Sequence, residues 1–163
     1  MEIIWESLEW PGMEHAIWAD GPEGWRADSA AVMLLPGGPQ RVSYRITPTR
    51  VEVNGLILEH DGEGNWRNRP ELDGCREVDI STTPLTNTLP IDRLKLSPGE
   101  SREIRAVYIE LPLLTVSVMP QRYTRLGDNL YRYQSEGFQA DLTVDEHNIV
   151  VDYPGLWRRL HAG

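Results

Sequence analysis

Cysteine occurs once in this chain, at Cys75, so no intrachain disulfide can form and a reducing compartment is expected. Phenylalanine is as scarce, with Phe138 alone beside six tryptophans and six tyrosines. Basic charge is also short. Sixteen Lys and Arg face 25 Asp and Glu, for a net charge of -9, and nucleic-acid binding is not expected from so acidic a surface. The first thirty residues carry Glu2, Glu6, Glu9, Glu14, Asp20, Glu23 and Asp28 against Arg26 alone, a balance that an anionic membrane surface would repel. No apolar run approaches the length of a membrane-spanning helix. The opening Met1–Trp10 has neither a basic start nor a long apolar stretch, so no signal peptide is read and a cytoplasmic protein is expected.

Several chemistries lack their residues. His15, His60, His147 and His161 fall in no H-x-x-x-H spacing, and one cysteine cannot complete a local zinc site. Asp61-Gly62-Glu63-Gly64-Asn65 resembles the start of a calcium loop, but the closing position is Leu72 rather than glutamate. There is no P-loop and no G-x-S-x-G. No cofactor and no metal are expected. Without a repeat, linker or low-complexity tract, residues 1–163 read as one domain.

What is present is a period of two, punctuated by Gly, Pro, Asn and Asp. Strands are predicted over Ala16–Asp20, Trp25–Leu35, Arg41–Ile46, Arg50–Glu59, Gly64–Arg69, Arg76–Ser81, Arg102–Leu111, Leu114–Tyr123, Asn129–Gln134, Phe138–Val144 and Ile149–Tyr153. Turns fall at Pro36–Pro39, Asp61–Gly64, Ser97–Gly99, Leu126–Asn129 and Asp145–Asn148. Helix signals are few. Thr83–Arg93 could begin with Thr83 as N-cap and Pro84 at the first helical position, with Pro90 limiting it to two turns. A second short helix is read at Leu156–Leu160.

The segment Asp73–Arg93 is the most unusual. It holds Cys75, Asp79 and the crowded polar run Ser81, Thr82, Thr83, Thr86, Asn87 and Thr88, closed by Pro90. Together with Gly64-Asn65-Trp66, Val78-Asp79-Ile80, Gln121-Arg122-Tyr123-Thr124, Tyr131-Arg132-Tyr133 and Val151-Asp152-Tyr153-Pro154, the string Thr83-Pro84-Leu85-Thr86-Asn87-Thr88-Leu89-Pro90-Ile91 resembles the family described as putative glycolipid-binding, formerly a domain of unknown function. The likeness runs from about Glu14 to Trp157. It implies a mostly β protein: one long, curved antiparallel sheet, a spiral β-roll, wrapped around one short helix, with Thr83–Arg93 as that helix. Such a fold is similar to the lipoprotein-localisation carriers and to a small enzyme of bis-indole pigment biosynthesis. Asp92 and His147-Asn148 depart from the family pattern.

Candidate ligand-binding residues are Asp79, Thr86, Asn87, Arg93, Trp18, Trp66 and Tyr123. Asp79 can order the neighbouring hydroxyls or touch a ligand, or it can cap backbone N–H groups. Cys75, four residues earlier on the same predicted strand face, reads as a small buried hydrophobe. Thr86, Asn87 and Thr88 can meet a polar head group or bond the surrounding strands. Arg93 can grip a phosphate or carboxylate, or pair with Asp79 or Asp92. Trp18, Trp66 and Tyr123 suit stacking on a sugar as well as core filling. Glu14 and His15 point to opposite faces and form no acid–base couple.

Three functions stay open. One is a binding protein for a lipid or glycolipid held between sheet and helix. The others are an interaction module, with a homodimer among its forms, and a small cofactor-free enzyme acting through Asp79, Glu14 or Tyr123.

Overall fold

Alternation of apolar and polar side chains builds the strands. In Gly24–Leu35, the buried Ala27, Ser29, Ala31, Met33 and Leu35 alternate with outward Asp28, Ala30, Val32 and Leu34. The computed structural model describes residues 1–163. In chain order its strands are β1 (Glu2–Ser7), β2 (Gly12–Gly21), β3 (Gly24–Leu35), β4 (Gly38–Thr47), β5 (Arg50–Val53), β6 (Leu56–Glu59) and β7 (Glu77–Ile80). The helix α1 (Thr88–Leu94) follows, and then β8 (Ser101–Glu110), β9 (Thr115–Arg125), β10 (Leu130–Ser135), β11 (Phe138–Val144), β12 (Val150–Tyr153) and β13 (Trp157–Ala162). The expected class holds: mostly β, with a single short helix. No helix is long and apolar enough to cross a membrane.

The chain forms two compact units. Met1–Asp73 with Gly155–Gly163 is an antiparallel array in the order β6-β5-β4-β3-β2-β1-β13. Its core includes Ile3, Trp5, Ala16, Val42, Ile46, Val51 and Val53. Here Glu14 is fully buried, accepting hydrogen bonds from Ser29 Oγ at 2.7 Å and Tyr44 Oη at 2.5 Å. The adjacent His15 faces outward to Glu2, as the strand period requires.

Gly74–Pro154 holds the order β12-β11-β10-β9-β8-β7 and the helix. Its strands are antiparallel except at the edge, where β7 runs parallel to β8, a departure from the all-antiparallel expectation. The reason is the connection: parallel neighbours need a crossover of a dozen or more residues, and the helical segment Leu85–Leu94 supplies it.

Four further expectations are corrected. The predicted strand Arg50–Glu59 is the hairpin β5–β6, turning at Asn54 and Gly55 with φ of 46° and 88°. Gly64–Arg69 is no strand; only Trp66 forms a bridge, to His60. Leu156–Leu160 is not helical, because Trp157–Ala162 pairs along β1, a strand the period-two reading passed over. Cys75 precedes β7 and so shares no strand face with Asp79, although it is buried.

The expected helix is present in two pieces, a 3-10 turn at Leu85–Asn87 and then α1. Thr83 Oγ1 accepts the Leu85 N–H at 3.0 Å, close to the capping role read for it. Pro90 sits in the first turn of α1, where no N–H donor is needed, rather than at its end.

Candidate functional site

The Gly74–Pro154 unit contains two polar constellations. The first joins the helical segment to the strands. Asp79, on β7, accepts from Gln121 Nε2 at 2.6 Å, from Thr86 Oγ1 at 3.3 Å and, weakly, from Tyr133 Oη at 3.5 Å. Tyr123 Oη donates to Asn87 Oδ1 at 2.9 Å, Asn87 Nδ2 donates to the Pro84 carbonyl at 3.2 Å, and Thr88 Oγ1 donates to the Asn148 carbonyl at 3.1 Å. Asp79 as a residue keeps some exposed surface, but its carboxylate is enclosed by these partners. Burial therefore holds its pKa above the ordinary value, even though the three donors favour the anion. Tyr123 and Tyr133 are pushed up by burial and then by the Asp79 charge, so both stay protonated as donors at neutral pH.

This network brings together four of the residues predicted for a site: Asp79, Thr86, Asn87 and Tyr123. It spends their hydrogen-bonding capacity on one another, as a buried polar layer between helix and sheet must. Asp79 serves side chains and not backbone N–H groups, which corrects the capping alternative.

Arg93 lies elsewhere. Its partner is Glu77, neither Asp79 nor Asp92. The Glu77 side chain is only 5% exposed, and burial raises its pKa against the pull of Arg93. Trp18 and Trp66 are in the other unit. Trp18 stacks on Trp25 at 4.9 Å and 13°, and it is Trp25 that lines a cavity of about 410 Å³ with Asp20, Arg26 and Pro48. Trp66 is buried, stacks on His60 at 4.4 Å, and its backbone N–H donates to Asp73 Oδ1 at 2.8 Å.

The second constellation is a groove of about 720 Å³ whose lining includes Arg76, Arg93, Arg105, Arg122, Ile104 and Pro120. Strand register makes it. On β8 and β9 Glu103 lies opposite Arg122 and Arg105 opposite Pro120, and β10 sets Gln134 beside Arg122. β7 begins pairing only at Ala106, so Ser101–Arg105 form an edge that β7 leaves uncovered. At the same end Gly74 has a φ of 89°, and a Cβ there would sit 3.4 Å from Arg105 Nη1. Glycine both permits the turn and leaves the guanidinium its room.

Of this groove, sequence reasoning selected Arg93 and missed Arg76, Arg105 and Arg122. Those three are 17 to 46 positions apart, and only the register brings them to one cavity. No cluster of three or more His, Cys, Asp or Glu side chains is placed to hold a metal ion.

The model of a family described as "Putative glycolipid-binding" matches residues 2–159. A crystal structure of a DUF1089 family protein from Pseudomonas aeruginosa is similar to this chain with 36% sequence identity and a TM-score of 0.78, covering 90% of this chain and 92% of that one. No curated protein matches the chain.

Proposed function

Because the chain belongs to the family described as putative glycolipid-binding, we propose that it binds an amphipathic, lipid-type ligand in the groove of its Gly74–Pro154 unit. The observation that carries this reading is the groove's size and mixed lining: about 720 Å³, with Ile104 and Pro120 beside polar and charged groups. Small-molecule sites fall in the range of roughly 300–1,000 Å³ and combine apolar walls with a few placed polar groups. A glycolipid is the member of this ligand class that the family description suggests. The ligand's place is thus the groove at the β8 edge, whereas the helix–sheet layer of Asp79, Thr86, Asn87 and Tyr123 serves to hold α1. A cytoplasmic setting belongs to the same proposal and is consistent with the lone, buried Cys75.

Native mass spectrometry tests this. The protein is purified without detergent, measured, incubated with a polar-lipid extract and measured again. A discrete adduct that extracts into organic solvent as a lipid is the expected result, and the same spectrum gives the subunit stoichiometry. A clean apo mass after both steps would overturn the reading.

A further inference from the structure

Positive charge is scarce in this chain, yet four guanidinium groups line one groove, where Glu103 is the carboxylate of the lining. Their commitments differ. Arg93 is held by the nearly buried Glu77 and must stay there, since freeing it would strand a buried carboxylate. Arg122 pairs with Glu103, whose side chain is 74% exposed, and a solvent-screened surface pair of that kind gives way readily. The Arg105 side chain makes no ion pair or hydrogen bond within the protein, and Gly74 beside it adds no side chain to crowd its guanidinium. A planar guanidinium fork is shaped for two oxygens of a phosphate, sulfate or carboxylate. Pro120, opposite Arg105 in the β8–β9 register, offers apolar surface on the same strand face, and Ile104 belongs to the same lining.

Resting on the proposed binding of an amphiphile, we infer that the groove selects an anionic head group, gripped by Arg105 and Arg122, over an uncharged sugar head group. Arg105 is the recognition residue that nothing else in the fold requires.

Isothermal titration with dodecyl phosphate, dodecyl maltoside and inorganic phosphate, each amphiphile below its micellar concentration, tests this on the full chain. Dodecyl phosphate is expected to bind more tightly than both other probes. Arg105→Ala should weaken it about tenfold, the loss of a charge-assisted contact, and Arg105→Lys should recover part of that. Arg158→Ala, which removes a charge paired with Glu6 in the other unit, should leave it unchanged. Arg105 is exposed and unpaired in the fold, so its variants should keep the parent's circular dichroism. Dodecyl maltoside binding as tightly as dodecyl phosphate, insensitive to Arg105→Ala, would overturn the charge selectivity and leave amphiphile binding standing. Inorganic phosphate binding as tightly as dodecyl phosphate would keep the anion site and overturn the amphiphile. Binding of none of the three would overturn both.

Discussion

Enclosing the Asp79 carboxylate costs more than its three donors return, and the cost should be readable as a pH dependence. Burial is the largest influence and raises the folded pKa above 3.8; hydrogen bonds from Gln121, Thr86 and Tyr133 oppose it. A raised carboxylate pKa means the native state holds the proton more tightly than the unfolded chain does. This group's contribution to stability is therefore complete below the unfolded value and is lost as pH rises through the folded one. Asp79→Asn removes that loss while keeping a side chain able to bond Gln121 and Thr86. In urea unfolding at a series of pH values, the variant should gain stability relative to the parent as pH climbs above the ordinary carboxylate range of about 4. Glu77, also raised, and Asp61, Glu71 and Asp141, all lowered, are present in both proteins and cancel in the difference. Parallel stability curves would show that Asp79 pays no such penalty.

Among the elements, α1 is the least self-sufficient, with seven residues and a C-cap at Lys95 in the left-handed region, φ 47°. The cap N–H donates to the Ile91 carbonyl at 3.4 Å, so the turn closes, but a side chain with a Cβ is strained there. Lys95 is exposed. Lys95→Gly should stabilise the protein by about 0.5–1 kcal/mol, after the larger unfolded-state entropy of glycine is set against the relief of strain. Thermal unfolding would show this as a rise of about 1–4 °C. A fall would mean that Lys95 makes a contact worth more than its strain.

The elements also show how far the sequence was legible. Phe138–Val144 was read to the residue, and most other strands to within a few, because alternation is a local property. The Thr83–Arg93 helix was legible from Thr83 and Pro84. Pairings between distant segments were not. β1 finds β13 some 150 residues away, and nothing in Trp157–Ala162 alone announces a strand partner. The Asn54-Gly55 turn was legible in principle, but Val51, Val53 and Gly55 kept the alternation going through it. For the site, the polar layer around Asp79 could be anticipated from the crowding of hydroxyl groups. The groove could not, since Arg76, Arg105 and Arg122 become neighbours only through β-register.

For the molecule as a whole, the net charge of -9 and the arginine groove pull in opposite directions, and distance decides between them. A ligand charge about 4 Å from a guanidinium gains roughly 4 kcal/mol at an effective dielectric near 20, whereas one about 20 Å away through water feels about 0.2 kcal/mol. Nine such distant repulsions sum to about 2 kcal/mol, so a single head group that reaches Arg105 and Arg122 is held. A membrane surface cannot enter the groove as a dispersed molecule can, and it meets the long-range repulsion first. That repulsion grows as salt falls, since the screening length extends from about 10 Å at 0.1 M to about 30 Å at 0.01 M. Dispersed dodecyl phosphate should therefore bind as well or better at the lower salt, while co-flotation with phosphatidylglycerol vesicles should decline. Vesicle association that strengthened as salt was lowered would make the groove a patch for docking on membranes, and would remove the argument that this protein takes its ligand one molecule at a time.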